Sequence, residues 1–188
     1  MSTAAPPRGV GAAPRLAAVT AIGAVVEATL FWRFGWSDAL AAYLVFGVAA
    51  TAVSASDLAC RRVPDRVTGP ALVAGMALLG VASAHSGQWW PIARAGIATA
   101  ALGAFYLALG LASRGGMGMG DVKWAGVVGL YCGWLGWPAV FGATLLAFVA
   151  AALFVLICRL ATVETRRPTI PLAPFMAVGA LAAIVLFH

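Results

Sequence analysis

The sequence predicts an all-α, polytopic helical membrane protein with about seven transmembrane helices. Three observations predict it. Hydrophobic residues fill 63% of the 188 positions and charged residues only 10%, against roughly 25% charged in an average soluble domain. Mean hydropathy is +0.97. The apolar residues gather in stretches close to the ~20 residues that a bilayer-spanning helix requires. A soluble globule of this size cannot bury so much apolar surface. A soluble enzyme, a disordered tail and a fibrous protein are therefore excluded.

Residues 1–15 are rich in Ala, Pro and Gly and carry Arg8 and Arg15. They read as a short flexible cytoplasmic tail. Apolar spans are expected at 16–34, 38–56, 67–85, 92–112, 121–137, 138–158 and 171–187. The fifth is expected to be the shortest and to meet the sixth at Trp137-Pro138. The first is too long for the apolar region of a signal peptide and reads as a retained helix. Residues 16–37 are thus an extra N-terminal helix, and 38–188 the main membrane domain.

Basic residues set the orientation. One set of segments carries Arg8, Arg15, Arg61, Arg62, Arg66, Arg114, Lys123, Arg159, Arg166 and Arg167, ten of the twelve; the opposite set has Arg33 and Arg94. The positive-inside rule puts the N-terminus in the cytoplasm and the C-terminus outside. Trp36, Trp89, Trp90, Trp134 and Trp137 fall on the outer side and suit an interfacial aromatic belt. The net charge of +6 is spread thinly between apolar stretches, so it records orientation, and no nucleic-acid partner is expected. Cys60, Cys132 and Cys158 lie far apart with no CxxC pair, and read as packing residues.

Acidic residues are scarce: Glu27, Asp38, Asp57, Asp65, Asp121 and Glu164. An ionisable group in or near the hydrocarbon region is costly and is a functional candidate by default. Asp57 ends the second span in Ser54-Ala55-Ser56-Asp57-Leu58-Ala59-Cys60-Arg61-Arg62-Val63-Pro64-Asp65. Its plain reading is an interfacial carboxylate paired with Arg61 at i+4, and that of Asp65 is a cap on the third helix. Asp121 sits in Arg114-Gly115-Gly116-Met117-Gly118-Met119-Gly120-Asp121-Val122-Lys123. Four glycines in six residues read as a mobile hinge, with Asp121 as a helix cap in the plain reading. No Gly-Lys-Ser/Thr follows, so this is not a phosphate loop. Glu27 lies in mid-span with no visible partner.

Asp57 and Asp121 gain weight together. Asp57 ends an inward-running helix and Asp121 begins an outward-running one, so both lie at one membrane depth. If helices 2 and 5 touch, the two carboxylates face each other and would share a proton. One can then activate water as general base while the other polarises a carbonyl. Gly126, Gly129, Gly133 and Gly136 mark one face of helix 5 and open a groove for some other helix. His85 and His188 lie at the outer side, and neither GxSxG nor HExxH occurs. No metal and no cofactor are expected.

Gly118-Met119-Gly120-Asp121-Val122-Lys123 resembles the GxGDxK signature of type IV prepilin peptidases, which are GxGD membrane aspartyl proteases. Asp57 to Asp65 resembles that family's first aspartate motif, and Thr169-Ile170-Pro171-Leu172-Ala173-Pro174-Phe175 its proline-containing lead-in to the last helix. The resemblance covers about residues 40–187. It implies cleavage of the short basic leader of prepilins or pseudopilins at the cytoplasmic membrane face, just ahead of the substrate's apolar helix. It assigns the catalytic positions to Asp57 and Asp121. Gly118 and Gly120 would let the loop deliver Asp121, and Lys123 takes the motif's basic position, where a contact with lipid phosphate is equally open. Bifunctional members carry a cytoplasmic cysteine-containing insert between their first two helices and also N-methylate. Here that connection is short, falls outside and has no CxxC. The expectation is a peptidase without N-methyltransferase activity, like the short enzymes of Tad/Flp-type pili, with membrane lipid as its surroundings. The alternatives are a proton- or ion-coupled transporter with a carboxylate relay and a structural membrane subunit. No internal repeat supports the former, and the latter leaves the GxGD loop unexplained.

Overall fold

The computed structural model describes residues 12–113, 117–161 and 171–187. Arg8, Arg114, Glu164, Arg166, Arg167 and His188 lie outside the described residues, as do Thr169 and Ile170. Seven helices and no strand occur among the described residues. They are α1 (Ala12–Phe34), α2 (Leu40–Cys60), α3 (Asp65–Ser86), α4 (Trp90–Ala112), α5 (Met119–Leu135), α6 (Trp137–Leu160) and α7 (Ala173–Leu186). Helices α1 to α4 and α6 are long and apolar enough to cross a membrane.

Boundaries follow local chemistry. The first helix already includes Ala12 to Arg15, part of the stretch read as a tail; a proline in the first turn costs little because its missing N–H would be unpaired there anyway. The shortest helix is α7, with 14 residues, not α5 with 17. It starts only after Pro171, and Pro174 sits in its first turn. Between α5 and α6, Gly136 turns the chain at φ +153°. It is a junction residue rather than part of the glycine face.

The centre of the bundle is α5, which packs against α3, α4, α6 and α7. Residues Trp124 to Gly133 are buried without a break, as expected of a helix that is apolar on every side. Its glycine groove is filled by α4. A Cβ on Gly129 would stand 2.5 Å from the Ala98 carbonyl oxygen, and one on Gly133 would stand 2.5 Å from the Ala98 Cβ. Backbone approach at this range is what small residues permit in membrane helices.

The contact between α2 and α5 is of a different kind. Large rings span it instead of touching backbones. Phe46 stacks on Trp124 with ring centroids 5.8 Å apart and lies 4.8 Å from Tyr131. The Tyr43 hydroxyl donates to the Tyr131 carbonyl at 2.8 Å, and the Tyr131 hydroxyl donates to Ala71 of α3 at 3.0 Å. Both hydroxyls are thereby satisfied in a dry interior. The most peripheral helix is α1. It packs on α2, and Glu27 lies against Gly47 there, one oxygen buried without a partner among the described residues.

Two helix termini at the Trp-rich end are closed by arginine. Arg33 donates to the carbonyls of Ile184 and Phe187 at 3.1 and 3.2 Å, at the C-terminus of α7. Arg94 donates to those of Gly133 and Trp134 at 2.7 and 2.5 Å, at the C-terminus of α5. Terminal carbonyls lack intrahelical partners, and a cation there also complements the helix dipole. The two arginines assigned to outer loops are thus helical residues acting as caps.

Candidate active site

Asp57 and Asp121 come together at the opposite end of the bundle. Both line one cavity of about 240 Å³ with Arg61, Arg62, Val63, Gly118 and Gly120. A water takes about 30 Å³ of liquid volume, so a water and part of an extended peptide fit. Asp57 lies near enough for its charge to act on Asp121.

Asp57 is 5% exposed. It sits near the C-terminus of α2, where the helix dipole opposes a negative charge. The N-terminus of α7 offsets this: the Ala173 N–H donates to Asp57 Oδ2 at 3.2 Å. Arg61 closes α2 in a left-handed conformation at φ 51°, its N–H bonded to the Asp57 carbonyl at 2.8 Å. The Ser56 hydroxyl then donates to the Arg62 carbonyl at 2.9 Å, which holds the turn that leads to Pro64. The plain i+4 ion-pair reading of Asp57 thus misses its direct hydrogen-bond partner, a backbone amide of another helix.

Asp121 is half-buried and occupies the first turn of α5. Its carboxylate accepts from the Gly118 N–H, so the plain reading of Asp121 as a cap holds in part, by reaching back to the residue that starts the helix. Neither Gly118 nor Gly120 has a positive φ. The glycine at 120 is needed for space: a Cβ there would stand 2.8 Å from the Val63 Cβ. It lets the first turn of α5 lie against the segment after α2, which brings Asp121 to Asp57.

Asp65 and Lys123 engage each other. Asp65 starts α3 without capping it, because Pro64 holds the cap position. Its Oδ2 receives the Lys123 ammonium at 2.7 Å, so Lys123 bridges α5 to α3. Sequence reasoning also missed Ala173, Ser56 and Val63. The Pro171 to Pro174 segment signalled the place of Ala173. Nothing signalled that its amide would be the group that meets Asp57.

The sequence model of the type IV leader peptidase family matches residues 44–156. This range holds both aspartates and the glycine loop, and leaves out α1 and α7. No curated protein and no solved structure matches the chain.

Proposed function

The chain belongs to the type IV leader peptidase family, and from that premise we propose that it is a membrane aspartyl endopeptidase with Asp57 and Asp121 as its catalytic pair. It removes the leader from type IV prepilins or pseudopilins at the cytoplasmic membrane face. The observation that carries the reading is the shared cavity of Asp57 and Asp121, residues 64 positions apart in the chain. One carboxylate draws a proton from water while the other, protonated, donates to the scissile carbonyl oxygen. The water oxygen adds to the carbonyl carbon, and the C–N bond breaks as the leaving nitrogen takes a proton. Ala173 and Gly118 orient the two carboxylates through their backbone amides.

N-methyltransferase activity is not part of this reading, because α1 and α2 are joined by residues 35–39 alone. The same reading has the N-terminus in the cytoplasm, and the grouping of Arg15, Arg61, Arg62, Arg66, Lys123 and Arg159 at the aspartate end supports it.

The test is co-expression with a leader-bearing prepilin, following substrate size. The unchanged protein shortens the substrate; Asp57→Asn and Asp121→Asn, inserted at equal level, each leave it full length. The proposal falls if the unchanged protein cuts nothing, or if either variant still cuts. Cys60 is exposed at the aspartate end. A variant keeping only that cysteine should react with an impermeant thiol reagent from the cytoplasmic side, and labelling from the other side alone would sink the orientation.

A further inference from the structure

Two lateral crevices leave the aspartate end. One lies between α3 and α5, with a volume of about 400 Å³, and includes Asp65, Thr68, Gly69 and Lys123 in its lining. The other, about 200 Å³, runs between α1, α2 and α7. They differ in chemistry. The Asp65–Lys123 ion pair ties α3 to α5 across the first. The second carries no charged residue. Its lining includes Ile22 and Val26 of α1, Thr51 and Leu58 of α2, and Pro174 and Val178 of α7.

The second crevice ends beside Asp57. Leu58, at one end, follows Asp57 directly. Pro174 follows Ala173, whose amide holds the Asp57 carboxylate. From Leu58 the crevice runs along α2 to Thr51, about 10 Å at the helical rise per residue. Its walls are only partly closed: α1 and α7 both pack on α2, while Ile22, Leu58 and Val178 remain 59–67% exposed.

On the leader-peptidase reading, the bond to be cut lies just ahead of an apolar helix. That helix must stay in the bilayer while its first residue reaches the aspartates. Its seat therefore has to be apolar, open to the side, and end at Asp57. We infer that the crevice between α1, α2 and α7 seats the apolar helix of the leader-bearing substrate, with α1 as its outer wall. This inference rests on the proposed function and adds a role for α1, which lies outside the family match.

The test uses the full chain in membranes with a co-expressed prepilin. A photo-crosslinking amino acid is placed at Ile22 or Val178, and for comparison at Gly69 in the other crevice. Asp121→Asn keeps the substrate uncut. Substrate adducts are expected from positions 22 and 178 and not from 69. In the active chain, Val178→Trp fills the seat and should slow cleavage about tenfold, equivalent to about 1.4 kcal/mol of lost binding, with the thermal transition unchanged. Cleavage by the unchanged chain is scored first. Its absence overturns the proposed function and the seat with it. Cleavage with adducts from Gly69 alone, or from none of the three, overturns the seat only. So does a folded Val178→Trp chain that cuts at the normal rate.

Discussion

The two ends of the bundle use charge in opposite ways. At the Trp-rich end, Arg33 and Arg94 spend their donors on the terminal carbonyls of α7 and α5. These charges complete the fold. At the other end, Asp57 and Asp121 are held by backbone amides and face a common cavity. These carboxyl groups are oriented by the backbone and still line open space. The comparison teaches that an ionisable residue in a membrane protein has to be judged by what occupies its hydrogen-bonding atoms. Arg94 and Asp57 both lie within helices long and apolar enough to cross a membrane. Only Asp57 opens on a cavity large enough for chemistry.

The sharpest way to break the contrast is to disturb position without removing a carboxylate. Gly120→Val places a side chain where Val63 already stands. The first turn of α5 must then shift by a fraction of an ångström or more. Prepilin cleavage should fall about 100-fold, as expected when a reacting group is misplaced by about 1 Å, while the chain still inserts. Equal cleavage would show that Asp121 tolerates displacement.

The next largest effect is expected in the core. Gly129→Val drives a side chain into the Ala98 carbonyl. Overpacking of this kind costs about 1–3 kcal/mol, seen as a lower thermal transition in detergent. A transition at the normal temperature would mean that α4 can retreat from α5 at little cost. At the Trp-rich end, Arg94→Gln removes a charged cap from two carbonyls and should cost about 1 kcal/mol with cleavage retained. A loss of cleavage without a loss of stability would erase the distinction between the two ends.

The smallest effect concerns Lys123 and Asp65. Their side chains are 48% and 69% exposed, and such surface pairs contribute about 0.2–1 kcal/mol. Lys123→Gln should therefore lower the thermal transition only slightly. Exchanging the two charges, Asp65→Lys with Lys123→Asp, should recover most of that loss. If cleavage falls steeply and the exchange does not recover it, Lys123 acts on the substrate and not only on Asp65.

The legible part of the site came from side chains and their order. Asp57, Asp121 and the glycines before Asp121 could be picked out because charges and glycine runs are rare in so apolar a chain. The partners were less legible. Ala173 contributes a backbone amide, which any residue but proline would supply. Val63 matters through the space it occupies beside Gly120. Asp65 was read as a cap because it follows a proline, yet the lysine that engages it lies 58 positions on.

Composition and apolar run length alone determined the helical membrane class, the approximate limits of the seven helices and the grouping of basic residues. These depend on local transfer free energy, which each segment carries in its own residues. Only the tertiary structure decided that α4 fills the glycine face of α5, that rings bridge α2 to α5, and that α7 brings its first amide to Asp57. The physical reason is that a helix apolar on every side has no periodic signal to say which face meets which neighbour. Rotation and pairing are then set by shape and by single hydrogen bonds, which exist only once the helices are packed.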